Sequence, residues 1–325
     1  MSHDAPPPAL ASDAPAAEHY VAPEDEVELT PVDAAVVADR PSNLWLDAWR
    51  DLRRRPLFWF SAALIAVILA VALLPGLFTQ ADPNAGCQLA DSNRGPAPGH
   101  PLGYTKQGCD IYARIIYGTA TSLSVGLIST VLMAVIGIVF GAFAGYYGGW
   151  LDSVLSRIGD IFFSIPYILA AVLIMSVFAR YANVWVISLA IGIFAWPATA
   201  RVLRAEILRV KTADYVMASE ALGVSRFRIL LRHVLPNSIA PVIVVTTLSL
   251  GGAIVAEATL SFLGVGLPSD VMSWGNDINQ AQSDLRTAPQ TLIYPSIALS
   301  VTVLSFIMLG EVVRDALDPK ARARR

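Results

Sequence analysis

Cys87 and Cys109 are the only two thiols in the chain. They are 22 positions apart in a Pro- and Gly-rich stretch, Thr79 to Tyr117, between two apolar runs. Three chemistries are open to such a pair: a disulfide, two free thiols, or a metal site in which His100 would be the further soft ligand. A disulfide is the expected one if the stretch faces an oxidising exterior. By chain entropy it would then stabilise the loop by about 3 kcal/mol. Phosphate chemistry is excluded in its usual form. A phosphate-cradling loop ends in Gly-Lys-Ser/Thr, and Lys106, Lys211 and Lys320 follow Thr, Val and Pro. Glu257 is the single ionisable residue inside the long apolar runs. We expect it to be a hydrogen-bonded structural carboxylate facing a helix bundle, with a place on a translocation path as the other reading. No His, Asp, Glu and Ser constellation has the spacing of a catalytic site.

These residues sit in a chain of which 55% is hydrophobic and 15% charged. The apolar runs are Leu57 to Phe78, Gly118 to Ala144, Ile161 to Ala179, Val184 to Ala200, Ser238 to Gly264 and Thr291 to Gly310. Their continuous apolarity indicates helices, because barrel strands would alternate. The expectation is an all-α integral membrane protein with six transmembrane helices. Pro166, Pro197 and Pro295 fall within spans and mark kinks. Gly137, Gly141 and Gly145, at four-residue spacing, favour close helix contact. The positive-inside rule sets the orientation, since 18 of the 23 Lys and Arg residues fall on one side if the N-terminus is cytoplasmic. Both termini and the polar loop 213–237 are then inside, and the chain is a multi-pass protein of the cell membrane. Nothing suggests a nucleic-acid partner.

The remaining segments divide as follows. Residues 1–43, rich in Ala, Pro, Asp and Glu, are expected to be a disordered cytoplasmic tail. They lack the basic start and apolar core of a signal peptide. Residues 44–56 place Leu44, Trp45, Trp49 and Leu52 near one face of an interfacial amphipathic helix. The first transmembrane helix is 57–78, the extracytoplasmic loop 79–117, the five-helix core 118–312 and the C-terminal tail 313–325. Within the core, loop 213–237 reads as helix, turn, helix, with Gly223 at the turn. Ala218, Ser219 and Ala221 allow close approach of another protein. Tyr215 and Leu222 offer apolar anchors, and Arg226 and Arg228 can meet an acidic rim.

With no phosphate loop and so few intramembrane charges, the driving force for transport would come from outside the chain. At this point the loop carries a resemblance. ASEALG (Ala218 to Gly223) followed by LPN (Leu235 to Asn237) resembles the cytoplasmic loop of ATP-binding-cassette importer permeases. HPLG (His100 to Gly103) with GCDIYARIIYGTATSLSVG (Gly108 to Gly126) looks like the second permease type of the oligopeptide/dipeptide/nickel branch. AEATLSFLGVGLP (Ala256 to Pro268) with SWGN (Ser273 to Asn276), and RDALDP (Arg314 to Pro319), point the same way. The resemblance covers about Leu44 to Pro319. Two departures stand out. Met217, Ala218 and Ser219 occupy the place of a family Glu-Ala-Ala, and the cysteine pair is not a general family feature.

The resemblance implies a type I importer fold in which a short coupling helix docks into a cleft on an ATPase subunit. The coupling residues would be Asp214, Tyr215, Ala218, Ser219, Glu220, Ala221, Leu222, Gly223, Arg226 and Arg228. It implies a second homologous permease, two cytoplasmic ATPase subunits and an extracytoplasmic substrate-binding protein. The chain itself would carry no cofactor or metal and no ATPase site, with ATP and Mg bound by the partners. The implied cargo is short peptides. Nickel, haem or another small solute is the alternative within the family, and an ion-driven secondary transporter the alternative outside it.

Overall fold

The computed structural model describes residues 44–83 and 87–317. The expected tail 1–43 and the last residues of the C-terminal tail, 318–325, lie outside the described residues. Among the described residues the regular structure is helical. Helices α1 (Leu44–Leu52) and α2 (Pro56–Leu73) are followed, after the loop that holds the cysteines, by α3 (Ile111–Tyr147), α4 (Gly149–Ser164), α5 (Tyr167–Val177) and α6 (Val184–Val210). Next come α7 (Asp214–Ala221), α8 (Arg226–Ile229), a π turn at Leu230–Val234, and α9 (Leu235–Ser238). Helices α10 (Ala240–Phe262), α11 (Trp274–Ala281) and α12 (Gln290–Leu317) complete the chain. Of these, α2, α3, α6, α10 and α12 are long and apolar enough to cross a membrane, and α4 with α5 forms a pair bent by 78°.

Local chemistry fixes the helix ends. Pro56 opens α2, where its missing amide costs nothing and its φ suits the first turn. Asp110 caps α3 by accepting from the Tyr112 amide, and Asn183 caps α6 by accepting from Trp185 and Val186. Gly148 and Gly149 both have positive φ, at +67° and +57°, which lets the chain reverse between α3 and α4.

α3 is the central strut. Its glycines at 137, 141 and 145 face α6. A Cβ on Gly141 would sit 2.6 Å from the Ala200 carbonyl oxygen, and one on Gly137 would sit 2.7 Å from Thr199 Cβ. The backbones therefore approach as only small residues allow. Gly126 serves the same purpose toward α10, where Ile254 fills the space. Only Ser61 and Ile65 of α2 are buried, and much of its remaining surface is apolar and outward-facing, as a lipid-facing helix requires.

The third span differs most from expectation. A single helix over 161–179 is replaced by the bent pair, because Pro166 lacks an amide and holds Ile165 extended at φ −90°, ψ 120°. Pro197 and Pro295, by contrast, lie inside continuous helices. The fourth span is longer than its apolar run, Val184 to Ala200: α6 continues to Val210, 27 residues or about 40 Å of rise. A helix does not stop where its apolar run stops. α2 ends at Leu73 rather than Phe78, and α3 begins at Ile111 rather than Gly118. On α1, Leu52 of the expected apolar face packs against the helix bundle. Ala48 is the buried residue, packed with Val244, Ala316 and Leu317, whereas Trp45 and Trp49 point outward. Arg55 ties this corner down by ion pairs to Asp51 at 2.8 Å and Asp315 at 2.9 Å.

Candidate functional site

Two clusters lie at opposite ends of the helices, one at the end rich in arginine and one at the end that holds the cysteines. At the arginine-rich end, α7 begins with Asp214, whose charge suits a helix N-terminus. The helix ends in a Schellman turn. The Val224 amide donates to the Ser219 carbonyl at 3.2 Å, and the Gly223 amide to the Glu220 carbonyl at 2.9 Å. Gly223 has φ +76°, which accounts for glycine there. The π turn at Leu230–Val234 precedes Pro236, which has no amide and crowds the carbonyl of Arg232 four residues back.

The underside of this loop is fused to the spans. Val216, Ile229, Leu230 and Val234 are buried with Leu203, Ile207 and Val210 of α6 and Ala142 and Tyr146 of α3. Lys211 Nζ donates to the Gly145 carbonyl at 3.0 Å, joining the ends of α6 and α3. The upper side is open. Tyr215, Ala218, Glu220, Ala221, Arg226 and Arg228 are exposed, Ser219 is half-buried, and Leu222 is 83% exposed. The Ser219 hydroxyl donates back to the Tyr215 carbonyl at 2.8 Å, inside its own helix. Met217, Phe227 and Leu231 add exposed apolar surface that the sequence reading did not select. Phe227 and Leu231 were hidden by arginine neighbours, since the eye reads RFR as a charged flank.

At the other end, Cys87 and Cys109 are bridged, with Cα atoms 4.3 Å apart, so neither thiol is free or available to a metal. The bridge pins the loop to the start of α3. Replacing both cysteines with serine is expected to lower stability by about 3 kcal/mol, read by unfolding in mixed micelles, while leaving the fold of loop 213–237 unchanged.

Beside the bridge, α11 is seated on the spans by a buried polar network. Glu257 is 0% exposed. Its carboxylate accepts from the Ser261 hydroxyl at 3.0 Å and the Ser122 hydroxyl at 3.2 Å. Ser122 in turn accepts from the Trp274 amide at 3.2 Å, and Trp274 Nε1 donates to the Ile115 carbonyl at 3.1 Å. Three elements, α3, α10 and α11, thus meet at one carboxylate. Close packing allows it: a Cβ on Gly275 would lie 2.7 Å from Ala258 Cα. A second buried pair was not visible in the sequence. Arg114 Nε donates to Asp277 Oδ1 at 2.7 Å, with both residues under 10% exposed. Burial pushes the Asp277 carboxyl up from its ordinary value, against the charge and hydrogen bond of Arg114.

Known proteins share this architecture. A family described as the inner membrane component of binding-protein-dependent transport systems matches residues 137–323, and one described as the N-terminal TM domain of oligopeptide transport permease C matches residues 43–96. The glutathione transport system permease protein GsiD of Pectobacterium atrosepticum is 36% identical over 280 residues, 86% of this chain and 92% of that protein. GsiD of Escherichia coli O157:H7 is 33% identical over 288 residues, 88% of this chain and 94% of that protein. The dipeptide transport system permease protein DppC of Alkalihalophilus pseudofirmus is 34% identical over 281 residues, 86% of this chain and 91% of that protein. In fold, the chain matches one from the MetNI methionine ABC transporter in inward-facing conformations, with TM-score 0.52 and 20% identity over 63% of this chain and 96% of that one. Matches to the core and to the N-terminal extension, joined to a type I importer fold, make this a multi-pass inner-membrane transport component that works in a complex with ATPase subunits. The chain belongs to the inner-membrane permeases of binding-protein-dependent ATP-binding-cassette importers, of the oligopeptide permease C type.

Proposed function

We propose that this chain is one of two homologous permease subunits in an importer of short peptides. Two cytoplasmic ATPase subunits drive it, and an extracytoplasmic binding protein supplies the cargo. The relatives named for glutathione and dipeptide transport support the peptide class, glutathione being itself a short peptide. Both termini lie in the cytoplasm in this reading, which the distribution of Lys and Arg supports.

The observation that carries the mechanism is the two-sided build of α7. Its underside is continuous with the core of α3 and α6, while Tyr215, Ala218, Ala221 and Leu222 stand free for a partner. An ATPase gripping that upper side would move α3 and α6 as a unit, because the glycine contacts leave no slack between them. Asp214 and Glu220 would add polar contacts at the rim, and Arg226 and Arg228 would meet acidic groups. At the other end, the bridged loop and the segment 264–288 would face the binding protein, with Glu257 holding α11 in place. The test is uptake of a labelled dipeptide by proteoliposomes that contain the whole complex. Uptake that needs both ATP and the binding protein is expected. Uptake that follows an imposed ion gradient without ATP would overturn the reading.

A further inference from the structure

At the arginine-rich end, a groove of about 370 Å³ lies between the first turns of α10 and the last turn of α12. Pro241, Val244, Val245 and Leu248 form one wall, at the spacing that sets them on one face of α10. Arg314 and Leu317, three positions apart on α12, form the other. Every lining side chain but Arg314 is apolar. Arg314 is exposed, and it makes no ion pair or side-chain hydrogen bond among the described residues.

The surrounding residues fix the level of that charge in the membrane. The ion pair of Arg55 with Asp315 at 2.9 Å brings the start of α2 level with the residue next to Arg314. At the same corner Trp45, Trp49 and Trp59 are exposed, and Trp59 Nε1 donates to the Arg53 carbonyl at 3.0 Å. Exposed tryptophans beside the start of an apolar span mark the headgroup level of a bilayer. Arg314 therefore lies at that level. From Pro241 to Leu248 α10 rises about 10 Å, so the apolar wall runs from the headgroups into the hydrocarbon. A cation at headgroup level above an apolar groove matches the shape and charge of an anionic phospholipid. The acidic residues of the corner do not cancel the charge. Asp47 is paired with Arg50, and Asp51 and Asp315 with Arg55, which leaves Arg53, Arg54 and Arg314 against Glu311. In sequence, Lys320, Arg322, Arg324 and Arg325 follow α12 with Asp318 as the one acidic residue among them. Basic clusters immediately beside a span attract anionic lipid.

We infer that this corner binds an anionic phospholipid, its phosphate on Arg314 and one acyl chain along the Pro241 to Leu248 face of α10. The choice of the cytoplasmic leaflet rests on the orientation proposed above; the lipid chemistry does not. The test uses the whole complex in phosphatidylcholine nanodiscs with a trace of phosphatidylglycerol or phosphatidylcholine that carries a photoactivatable acyl chain. Both leaflets hold the probe, so the outcome is independent of orientation. Crosslinks are mapped by mass spectrometry. Phosphatidylglycerol is expected to label 240–248 and 312–317 at least about fivefold more than phosphatidylcholine. R314Q should lower phosphatidylglycerol labelling roughly fivefold and leave phosphatidylcholine labelling little changed, whereas R314K should keep the preference. R157Q, at a side chain that is 84% exposed on α4, should change neither. V245W keeps the charge but fills the groove, and should abolish labelling there by both lipids. Equal labelling by the two lipids, or a preference that survives R314Q, would overturn the site. A groove that neither lipid labels in the assembled complex would give it to a protein partner and overturn the inference as well.

Discussion

Replacing Asp277 with alanine is expected to destabilise the protein by about 3–5 kcal/mol, the largest effect of any single truncation considered. The reason is the group it would leave behind. Arg114 is 6% exposed and its guanidinium sits on Asp277, with Nε at 2.7 Å from Oδ1. Without that carboxylate a charge stays buried and loses its partner at the start of α3. The double variant R114M/D277A removes the charge with its partner and should recover much of the loss. Removing Asp91, whose partner Arg94 is largely exposed, should change little. Unfolding in mixed micelles reads all three. A D277A protein as stable as the parent would show that the pair does not hold α11 to the spans.

That pair also shows what sequence reading can and cannot reach. Arg114 and Asp277 are 163 positions apart, and neither lies in a pattern that names the other. Glu257 was conspicuous because charge is rare in apolar runs, yet Ser122 and Ser261 are ordinary residues until the fold brings them to its oxygens. Spans were legible because a bilayer demands length and apolarity, whereas their ends were not. α6 keeps its hydrogen bonding beyond Ala200 regardless of polarity. Three prolines read alike, and only Pro166 breaks its span. There Phe162 packs at 5.4 Å from Phe194 and 5.7 Å from Trp196, a tertiary contact that a linear pattern cannot display. The turn at Gly223 was legible for the opposite reason, since its chemistry is local and positive φ selects glycine.

The second large effect concerns Leu222, which the fold does not need. It is 83% exposed, so L222D should leave melting unchanged. If α7 seats in an ATPase cleft, the same change loses apolar burial and places a carboxylate inside the contact. A loss of about 2–4 kcal/mol in docking follows, or roughly 30- to 1000-fold in affinity for the ATPase subunit. Uptake should fall at least about tenfold with it. Normal affinity in L222D would move the docking surface elsewhere, and Phe227 and Leu231 would be the next residues to change.

The most direct test of the central claim is a crosslink from Ala221, at the exposed end of α7. A cysteine introduced there, in the full complex, is expected to form a crosslink to the ATPase subunit whose yield changes when ATP binds. Absence of that crosslink in a complex that is otherwise assembled and active would contradict the assignment of this loop as the place where force enters the permease.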